Sequence, residues 1–238
     1  MIHEFENSRV FNQDCLEAMK EYPDNYFDLA VVDPPYGIDA PNMAMGSNSG
    51  KNKSNNSISP AKRLKKAKFS QGSGKLKNRK LNSMPLDWDV KPTKDYFNEL
   101  FRVSQNQIIF GGNYFDLPPS RCVICWDKVQ PWENFSQWEM AWTSFDKVAS
   151  LFRLSNRGGN TSELKIHPTQ KPVALYDWIL TKYAKAGDKI LDTHLGSQSS
   201  RISAYKNGLD FTGFELDEDY FKDGNKRFMD FTSQLILL

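Results

Sequence analysis

Residues 26–37 read Tyr-Phe-Asp-Leu-Ala-Val-Val-Asp-Pro-Pro-Tyr-Gly and join the clearest strand of the chain to an abrupt stop. Residues 26–32 are a nearly continuous apolar run, which is typical of a strand buried on both faces of a sheet. Two consecutive prolines cannot continue a central strand, because proline has no amide hydrogen to donate. The sequence therefore predicts a buried strand that ends at Asp33 and leads into a stiff turn.

Strands and helices alternate around this stretch, most clearly in the last third of the chain. The predicted strands are 9–11, 26–32, 107–110, 122–126, 139–145, 189–191 and 210–214. The predicted helices are 15–22, with Asp14 as its cap, 93–103, 173–184, 197–207 and 218–232. This alternation predicts an α/β fold with a doubly wound, mostly parallel sheet that helices cover on both faces.

The charge of the chain is unevenly distributed. Residues 41–86 contain 11 of the 31 Lys and Arg residues and none of the 29 Asp and Glu residues. Because this segment is poor in large apolar side chains, it predicts a mobile basic insertion rather than a second core. We expect it to neutralise the phosphates of a polyanion such as DNA.

Cysteine content and hydropathy disfavour several classes of protein. Cys15, Cys122 and Cys125 are too few for a disulfide framework. The last two form a C-x-x-C pair, but on a predicted strand they would point to opposite faces, so no metal site is predicted. No apolar run reaches the roughly 20 residues that span a bilayer, which predicts a cytoplasmic protein.

Acidic residues stand at the ends of the predicted strands, where doubly wound sheets bind ligands. Asp33, Asp192 and Glu215 end strands, and Asp14 lies just past the first one. Gly196 would let the backbone approach a ligand closely, yet the glycine-rich cradle that binds phosphates is missing. The pattern favours a nucleoside ligand without phosphates.

The turn Asp33-Pro34-Pro35-Tyr36 resembles the signature of the methyltransferases that modify amino groups in DNA. Residues 14–16, 27–29 and 111–115 resemble further motifs of their β class, as do 167–172 and 192–197. The catalytic motif precedes the cofactor loop, which is the permuted order of that class. The resemblance implies a single domain, 1–238, with the Rossmann-like fold of S-adenosylmethionine-dependent methyltransferases and a short target-recognition region at about 116–166.

The resemblance also implies a role for each motif. Asp33 and the carbonyl of Pro34 would accept hydrogen bonds from the target amino group, Pro35 would stiffen the turn, and Tyr36 would stack on a flipped base. The residues expected to bind S-adenosylmethionine are Asp14, Cys15, His167, Thr169, Lys171, Asp192, His194, Gly196, Ser197 and Glu215. Among these, Asp14 is expected at the adenine, Glu215 at the ribose, and Thr169 and Lys171 at the methionine carboxylate.

One position departs from the family pattern in a way that bears on the cofactor. The family loop usually reads D-P-F-x-G-S-G-T, and Gln198 stands where its second glycine is expected. If that glycine serves a positive φ or leaves room for methionine, Gln198 would weaken cofactor binding.

Double-stranded DNA is the expected partner, and base edges would be contacted from residues 116–166. Arg121, Lys128, Gln130, Arg153 and Arg157 are candidates for these contacts, whereas the tryptophans of this region are expected in the core. A homodimer and a partner restriction endonuclease are left open.

The motif D-P-P-Y favours adenine N6 as the target. Cytosine N4 is the nearer alternative, although those enzymes more often carry S-P-P-Y. RNA and glutamine methyltransferases are less favoured, because they usually carry N-P-P-Y/F in the unpermuted order. A methyltransferase-like DNA-binding protein with weak catalysis is an alternative of a different class.

Overall fold

The computed structural model describes residues 1–38, 89–130, 136–155, 165–167 and 169–235. In these ranges one sheet has nine strands in the order β1-β2-β9-β8-β3-β4-β6-β5-β7. The strands are β1 (Ile2–Phe5), β2 (Ser8–Asn12), β3 (Phe27–Val32), β4 (Ser104–Phe110), β5 (Val123–Asp127), β6 (Trp138–Thr143), β7 (Ser150–Arg153), β8 (Lys189–Asp192) and β9 (Asp210–Glu215). The α-helices are α1 (Cys15–Met19), α2 (Lys94–Val103), α3 (Val173–Tyr183), α4 (Ser199–Lys206) and α5 (Glu218–Leu235).

The centre of the sheet is parallel, from β2 through β9, β8 and β3 to β4. At one end β1 pairs antiparallel with β2. At the other end β6 lies antiparallel between β4 and β5, and β7 pairs parallel with β5 at the edge. The predicted mostly parallel sheet is confirmed.

Strand β3 shows why this sheet needs helices on both faces. Leu29 and Val31 join the core beneath α3, α4 and α5, whereas Ala30 and Val32 join the core beneath α1 and α2. Successive strand residues point to opposite faces, so a continuous apolar run is buried only if both faces are covered. The doubly wound α/β architecture follows from this run.

The topology brings the predicted strand-end acids to one edge. Strands β2, β9, β8 and β3 are parallel neighbours, so their carboxyl ends lie side by side. Asp192 and Glu215 end β8 and β9, and Asp33 directly follows β3. Residues far apart in the chain therefore meet at the edge where α/β sheets bind ligands.

The element boundaries differ from the sequence predictions in a few places. The edge strands β1 and β7 were not predicted, because each has only four residues with a half-exposed pattern. Helix α1 ends at Met19 rather than 22, and β4 begins at Ser104 rather than 107. The predicted basic insertion at 41–86 lies outside the described residues, and no described helix is long and apolar enough to cross a membrane.

Candidate active site

The turn after β3 sets Asp33 and Tyr36 against each other. The Tyr36 hydroxyl donates a hydrogen bond of 2.8 Å to Oδ1 of Asp33. Pro34 is buried, and proline restricts the residue before it, so the turn has little conformational freedom. Burial, reinforced by the charges of Asp33 and Glu139, raises the pKa of Tyr36 well above its ordinary value. Tyr36 is therefore a neutral donor that orients the Asp33 carboxylate.

The ring of Tyr36 lies on the turn that follows β4. Gly111 has φ +68°, and a Cβ there would lie 2.2 Å from the Tyr36 ring, so only glycine permits this approach. Tyr114 stacks on Tyr36 with ring centroids 5.0 Å apart and an interplanar angle of 19°. The predicted motif at 111–115 thus directly supports the tetrad Asp33-Pro34-Pro35-Tyr36.

Lys171 lies just before α3 and reaches across to the tetrad. Its ammonium forms an ion pair with Oδ2 of Asp33 and lies 3.3 Å from Oε2 of Glu139. The Nζ atom is 4.6 Å from the centroid of the Phe110 ring. Burial alone would lower the pKa of Lys171, but the two carboxylates outweigh burial and raise it. Lys171 is therefore a buried cation bound to the predicted catalytic carboxylate.

Glu139 on β6 is a member of the site that the sequence analysis missed. Its carboxylate bridges Lys171 and Lys128, and the side chains of both lysines are 4% exposed. Burial would raise the pKa of Glu139, but the two ammonium groups outweigh it and lower this pKa to about 2. The one available signal was an acid within the aromatic strand Trp-Glu-Met-Ala-Trp.

Four of the five side chains proposed for base contacts are described, and they fall into two groups. Lys128 and Gln130 are buried, so the prediction that they are available to base edges is wrong. Arg121 and Arg153 are exposed and pair with Asp146 and Asp127, and Arg157 lies outside the described residues.

The tryptophans of the same region divide in a similar way, except that Trp132 lies outside the described residues. Trp126 and Trp142 belong to the core as predicted. Trp138 is 51% exposed, so its predicted place in the core is wrong.

The second part of the site is the loop after β8. Glu215 accepts hydrogen bonds from the amide of Gly196 at 2.7 Å and from the amide of Asp217 at 2.9 Å. Gly196 has φ +47°. In the same loop the Ser197 carbonyl accepts a bond of 2.6 Å from Arg227, and the Ser197 hydroxyl lies 3.1 Å from that of Ser199. The ends of β8 and β9 are thereby tied together.

Asp192 is buried at the end of β8. It accepts hydrogen bonds from the Ser200 hydroxyl at 2.5 Å and the His194 amide at 3.0 Å. Burial is the main cause that raises its pKa to about 7, and the charges of Asp33 and Glu215 act in the same direction. The Asp33–Tyr36 turn and the loop after β8 are therefore electrostatic neighbours at the same sheet edge.

Asp14 and Cys15 lie at the start of α1, beyond the end of β2. Oδ1 of Asp14 caps the helix by accepting bonds from the amides of Leu16 and Glu17 at 2.9 and 3.1 Å. Burial raises the pKa of Cys15 to about 12, and Asp14 and Glu215 contribute, so the thiol is neutral. The predicted cap is confirmed, and both residues lie within electrostatic range of the strand ends.

Two histidines of the predicted cofactor motifs pack against the loop after β8. His167 lies beside Gly196 and packs on Tyr220 at a centroid distance of 4.3 Å, and its Nδ1 accepts the Thr169 amide at 3.3 Å. Burial, with a contribution from Lys171, lowers the pKa of His167 to about 3. Burial likewise lowers the pKa of His194 to about 4. Both rings are neutral near pH 7.

Gln198 adopts the conformation that usually requires glycine. Its φ is +58°, and its side chain is fully buried between α4 and α5. The carboxamide donates to Asn225 at 3.0 Å and accepts from Arg201 at 3.0 Å. Gly224 makes room for the Gln198 side chain, because a Cβ at position 224 would lie 2.7 Å from the amide nitrogen of Gln198. The side chain therefore packs on α5, and Asn225 and Gly224 accommodate the departure from the family pattern.

The sequence comparisons identify the class of protein. The family described as DNA methylase, comprising the N6 and N4 enzymes, matches residues 51–226, about three quarters of the chain. The chain belongs to this N6/N4 DNA methylase family.

Named relatives are similar over different lengths. Type II methyltransferase M2.MboI of Moraxella bovis is 21% identical over 263 residues, covering 96% of this chain and 90% of that protein. Type II methyltransferase M2.DpnII of Streptococcus pneumoniae is 39% identical over 61 residues, and DNA adenine methyltransferase YhdJ of Escherichia coli strain K12 is 38% identical over 65. These two matches cover 26% and 27% of this chain and only 23% and 22% of the relatives.

Solved structures share the fold. PvuII DNA methyltransferase, described as cytosine-N4-specific, has a TM-score of 0.56 at 14% identity, over 93% of this chain and 86% of that one. The complex of M1.HpyAVI with SAM has a TM-score of 0.52 at 16% identity, over 92% and 97%. The predicted Rossmann-like methyltransferase fold is confirmed.

Proposed function

We propose that this DNA methylase transfers a methyl group from S-adenosylmethionine to the N6 amino group of adenine in double-stranded DNA. The main support is the arrangement at one sheet edge, where the Asp33–Tyr36 turn stands beside the loop that Glu215 fixes. The first part supplies hydrogen-bond acceptors for an amino group. The second supplies acids and a close backbone approach for a nucleoside.

The loop after β8 fits S-adenosylmethionine in its chemistry. Asp192 and Glu215 are acids whose pKa values burial raises, and no described Lys or Arg forms a salt bridge with either. Such a pair favours a ligand that brings hydroxyl donors and a positive charge. Glu215 would bind the ribose hydroxyls, Asp14 the adenine, and Gly196 and Ser197 would line the methionine. The two neutral histidines add no positive charge that would repel a sulfonium.

When bound, S-adenosylmethionine supplies an electrophilic methyl group on a sulfonium. Asp33 and the Pro34 carbonyl would accept hydrogen bonds from the target amino group, which draws the nitrogen lone pair out of conjugation with the ring. Tyr36 would stack on the base after it leaves the duplex. Lys171 forms an ion pair with Asp33 in the structure, so it would not bind the methionine carboxylate alone. Thr169 would contribute to binding this carboxylate.

Adenine is favoured over cytosine by the motif and by one relative. The D-P-P-Y motif is typical of adenine enzymes, and YhdJ is named a DNA adenine methyltransferase. PvuII methyltransferase is cytosine-N4-specific, but it shares the fold at 14% identity. Cytosine N4 is therefore the second candidate.

The deciding experiment incubates the purified chain with tritiated S-adenosylmethionine and unmethylated genomic DNA, followed by digestion to nucleosides. We expect the label in N6-methyldeoxyadenosine. Label in N4-methyldeoxycytidine would establish the second candidate. If no label appears at any salt concentration but the chain still binds DNA, the proposed activity is wrong. The chain would then be a DNA-binding protein with the methyltransferase fold.

The setting of the activity belongs to the same proposal. We place the protein in the cytoplasm, where it would meet its DNA. The Type II methyltransferase names of M2.DpnII and M2.MboI are consistent with a restriction–modification role. The proposal includes neither a homodimer nor a partner endonuclease.

A further inference from the structure

Four charged side chains form a continuous row beneath the tetrad. The order is Lys128, Glu139, Lys171, Asp33, and each carboxylate lies beside at least one ammonium group. The exposed fractions of these side chains are 4%, 21%, 4% and 18%. Buried charges are costly unless they are paired, so a row of this kind is retained only where the fold fixes it.

The sheet and its aromatic residues position the two lysines of this row. Lys128 directly follows β5, and its amide bonds to the Gln137 carbonyl at 2.9 Å, which places it beside β6 and Glu139. Its Nζ is 5.6 Å from the ring of Trp126, and Nζ of Lys171 is 4.6 Å from the ring of Phe110. Both ammonium groups are thus confined between carboxylates and ring faces.

The geometry points to Glu139 as a positioning residue for the methyl transfer, one that acts on Asp33 through Lys171. This inference rests on the proposed function. Oε2 of Glu139 is a buried acceptor 3.3 Å from the Lys171 ammonium, and the same ammonium pairs with Asp33. Because Lys171 interacts with both Glu139 and Asp33, it binds Asp33 less tightly than it would without Glu139. Lys171 then orients the Asp33 carboxylate, whose remaining lone pairs can accept hydrogen bonds from the target amino group.

Removing Glu139 changes this balance in a predictable way. Lys171 would then have Asp33 as its sole carboxylate partner among the described residues, and two buried ammonium groups would share a site with one carboxylate. Lys171 would bind Asp33 more closely, and the amino group would have to compete for the same oxygens. The effect should therefore appear in the chemical step and not in ligand binding.

The test compares Glu139→Gln with the wild type in steady-state methylation and in direct cofactor binding. We expect kcat to fall between about 10-fold and 100-fold, as for other displaced catalytic groups. The KM for DNA and the Kd for S-adenosylmethionine should stay within about 3-fold of the wild type. Glu139→Asp should recover part of the rate, because it retains the carboxylate.

The pH profile separates positioning from a purely structural role. Among the described residues, Asp33, Glu139, the Tyr36 hydroxyl and His167 interact with Lys171, and Lys128 lies on the other side of Glu139. Without the Glu139 charge the pKa of Lys171 must fall, so the alkaline limb of the kcat profile should move to lower pH. Lys128→Met removes a competing cation from Glu139, so it should not move that limb downward.

Controls make each outcome decisive. Glu99→Gln removes a paired acid of matched exposure, 22%, that binds Arg102 away from the tetrad, and it should leave kcat and its pH profile unchanged. If Glu139→Gln misfolds, the double variant Glu139→Gln with Lys128→Met removes one charge of each sign and replaces it in the test. A rate and profile like those of Glu99→Gln would overturn the inference. Absence of methylation by the wild type would instead overturn the proposed function.

Discussion

The two halves of the site treat buried acids in opposite ways. Beneath the tetrad, Glu139 lies between two lysines and has a pKa of about 2. At the end of β8, Asp192 is 2% exposed but is bound by a hydroxyl and an amide, and its pKa is about 7. Burial raises both pKa values, but the ammonium groups beside Glu139 lower its pKa, whereas the charges of Asp33 and Glu215 raise that of Asp192 further.

The comparison indicates that the half around the Asp33–Tyr36 tetrad and the half around the β8 loop have different roles. The tetrad half has its counter-charges within the protein, so its geometry is set before any ligand binds. The half around the β8 loop has neutral histidines, and the pKa of Asp192 is about 7, so the charge of Asp192 changes near neutral pH. Mutations in the first half should affect the rate of methyl transfer, and mutations in the second should affect cofactor binding.

Asp33→Ala gives the largest expected effect and tests the separation of the halves. It removes the acceptor that the proposed chemistry needs, and kcat should fall by about 10³-fold. The Kd for S-adenosylmethionine, measured by calorimetry, should change by less than about 3-fold. Asp177→Asn, which removes an acid paired with Lys206, is the control. A parallel collapse of cofactor binding would show that the halves are not separable.

Glu215→Gln should have the converse effect. The neutral amide accepts hydrogen bonds from the Gly196 amide and the ribose less strongly, so the Kd for S-adenosylmethionine should rise by about 10-fold to 100-fold. At saturating cofactor kcat should stay within about 3-fold. The exposed Glu218→Gln serves as the matched change three residues away. If kcat falls while Kd is constant, Glu215 does not belong to the cofactor half.

His167→Asn tests the cost of keeping a histidine neutral in this half. The pKa of His167 is about 3 in the folded protein and near 6.5 when unfolded, so the unfolded state binds more protons below pH 6.5. Its contribution to stability is present above that pH and is lost as the pH falls towards 3. Asp192, with its raised pKa, acts in the opposite sense: it lowers stability as the pH rises towards 7.

Asparagine can accept the Thr169 amide without titrating. In urea unfolding at about pH 7.5 and about pH 5, the loss of stability on acidification should shrink by about 2 kcal/mol relative to the wild type. The contributions of His194 and Asp192 are common to both proteins and cancel in this difference. Equal losses in both proteins would contradict the neutral state assigned to His167.

The same comparison explains what the sequence could predict. The apolar run of β3 and the alternation of strands and helices are local patterns, and they specify a parallel sheet whose acids gather at one edge. Glu139 could not be found this way, because β6 inserts between β4 and β5 out of chain order. The pairing of β5 with β6 brings Lys128 to it, and the loop before α3 brings Lys171, contacts that no local pattern encodes. Lys128 was misassigned to the surface for the same reason.

Gln198→Gly gives the smallest expected effect and tests whether the departure from the family loop touches the cofactor half at all. Glycine relieves the cost of a positive φ, about 1 kcal/mol or more. It also removes a hydrogen bond from buried Arg201, whose pKa burial lowers to about 9. The two effects oppose each other, so the free energy of unfolding should fall by about 1 kcal/mol, with the Kd for S-adenosylmethionine within about 3-fold.

Gly224→Ala completes the cycle. In the wild type its methyl group would press on the Gln198 side chain and destabilise the protein, whereas in Gln198→Gly the space is open and alanine favours the helix. Thermal unfolding of both single variants and the double variant should therefore show a favourable coupling between the positions. Additive effects, or a cofactor Kd that improves in Gln198→Gly, would show that Gln198 acts on the ligand side of the loop and not on α5.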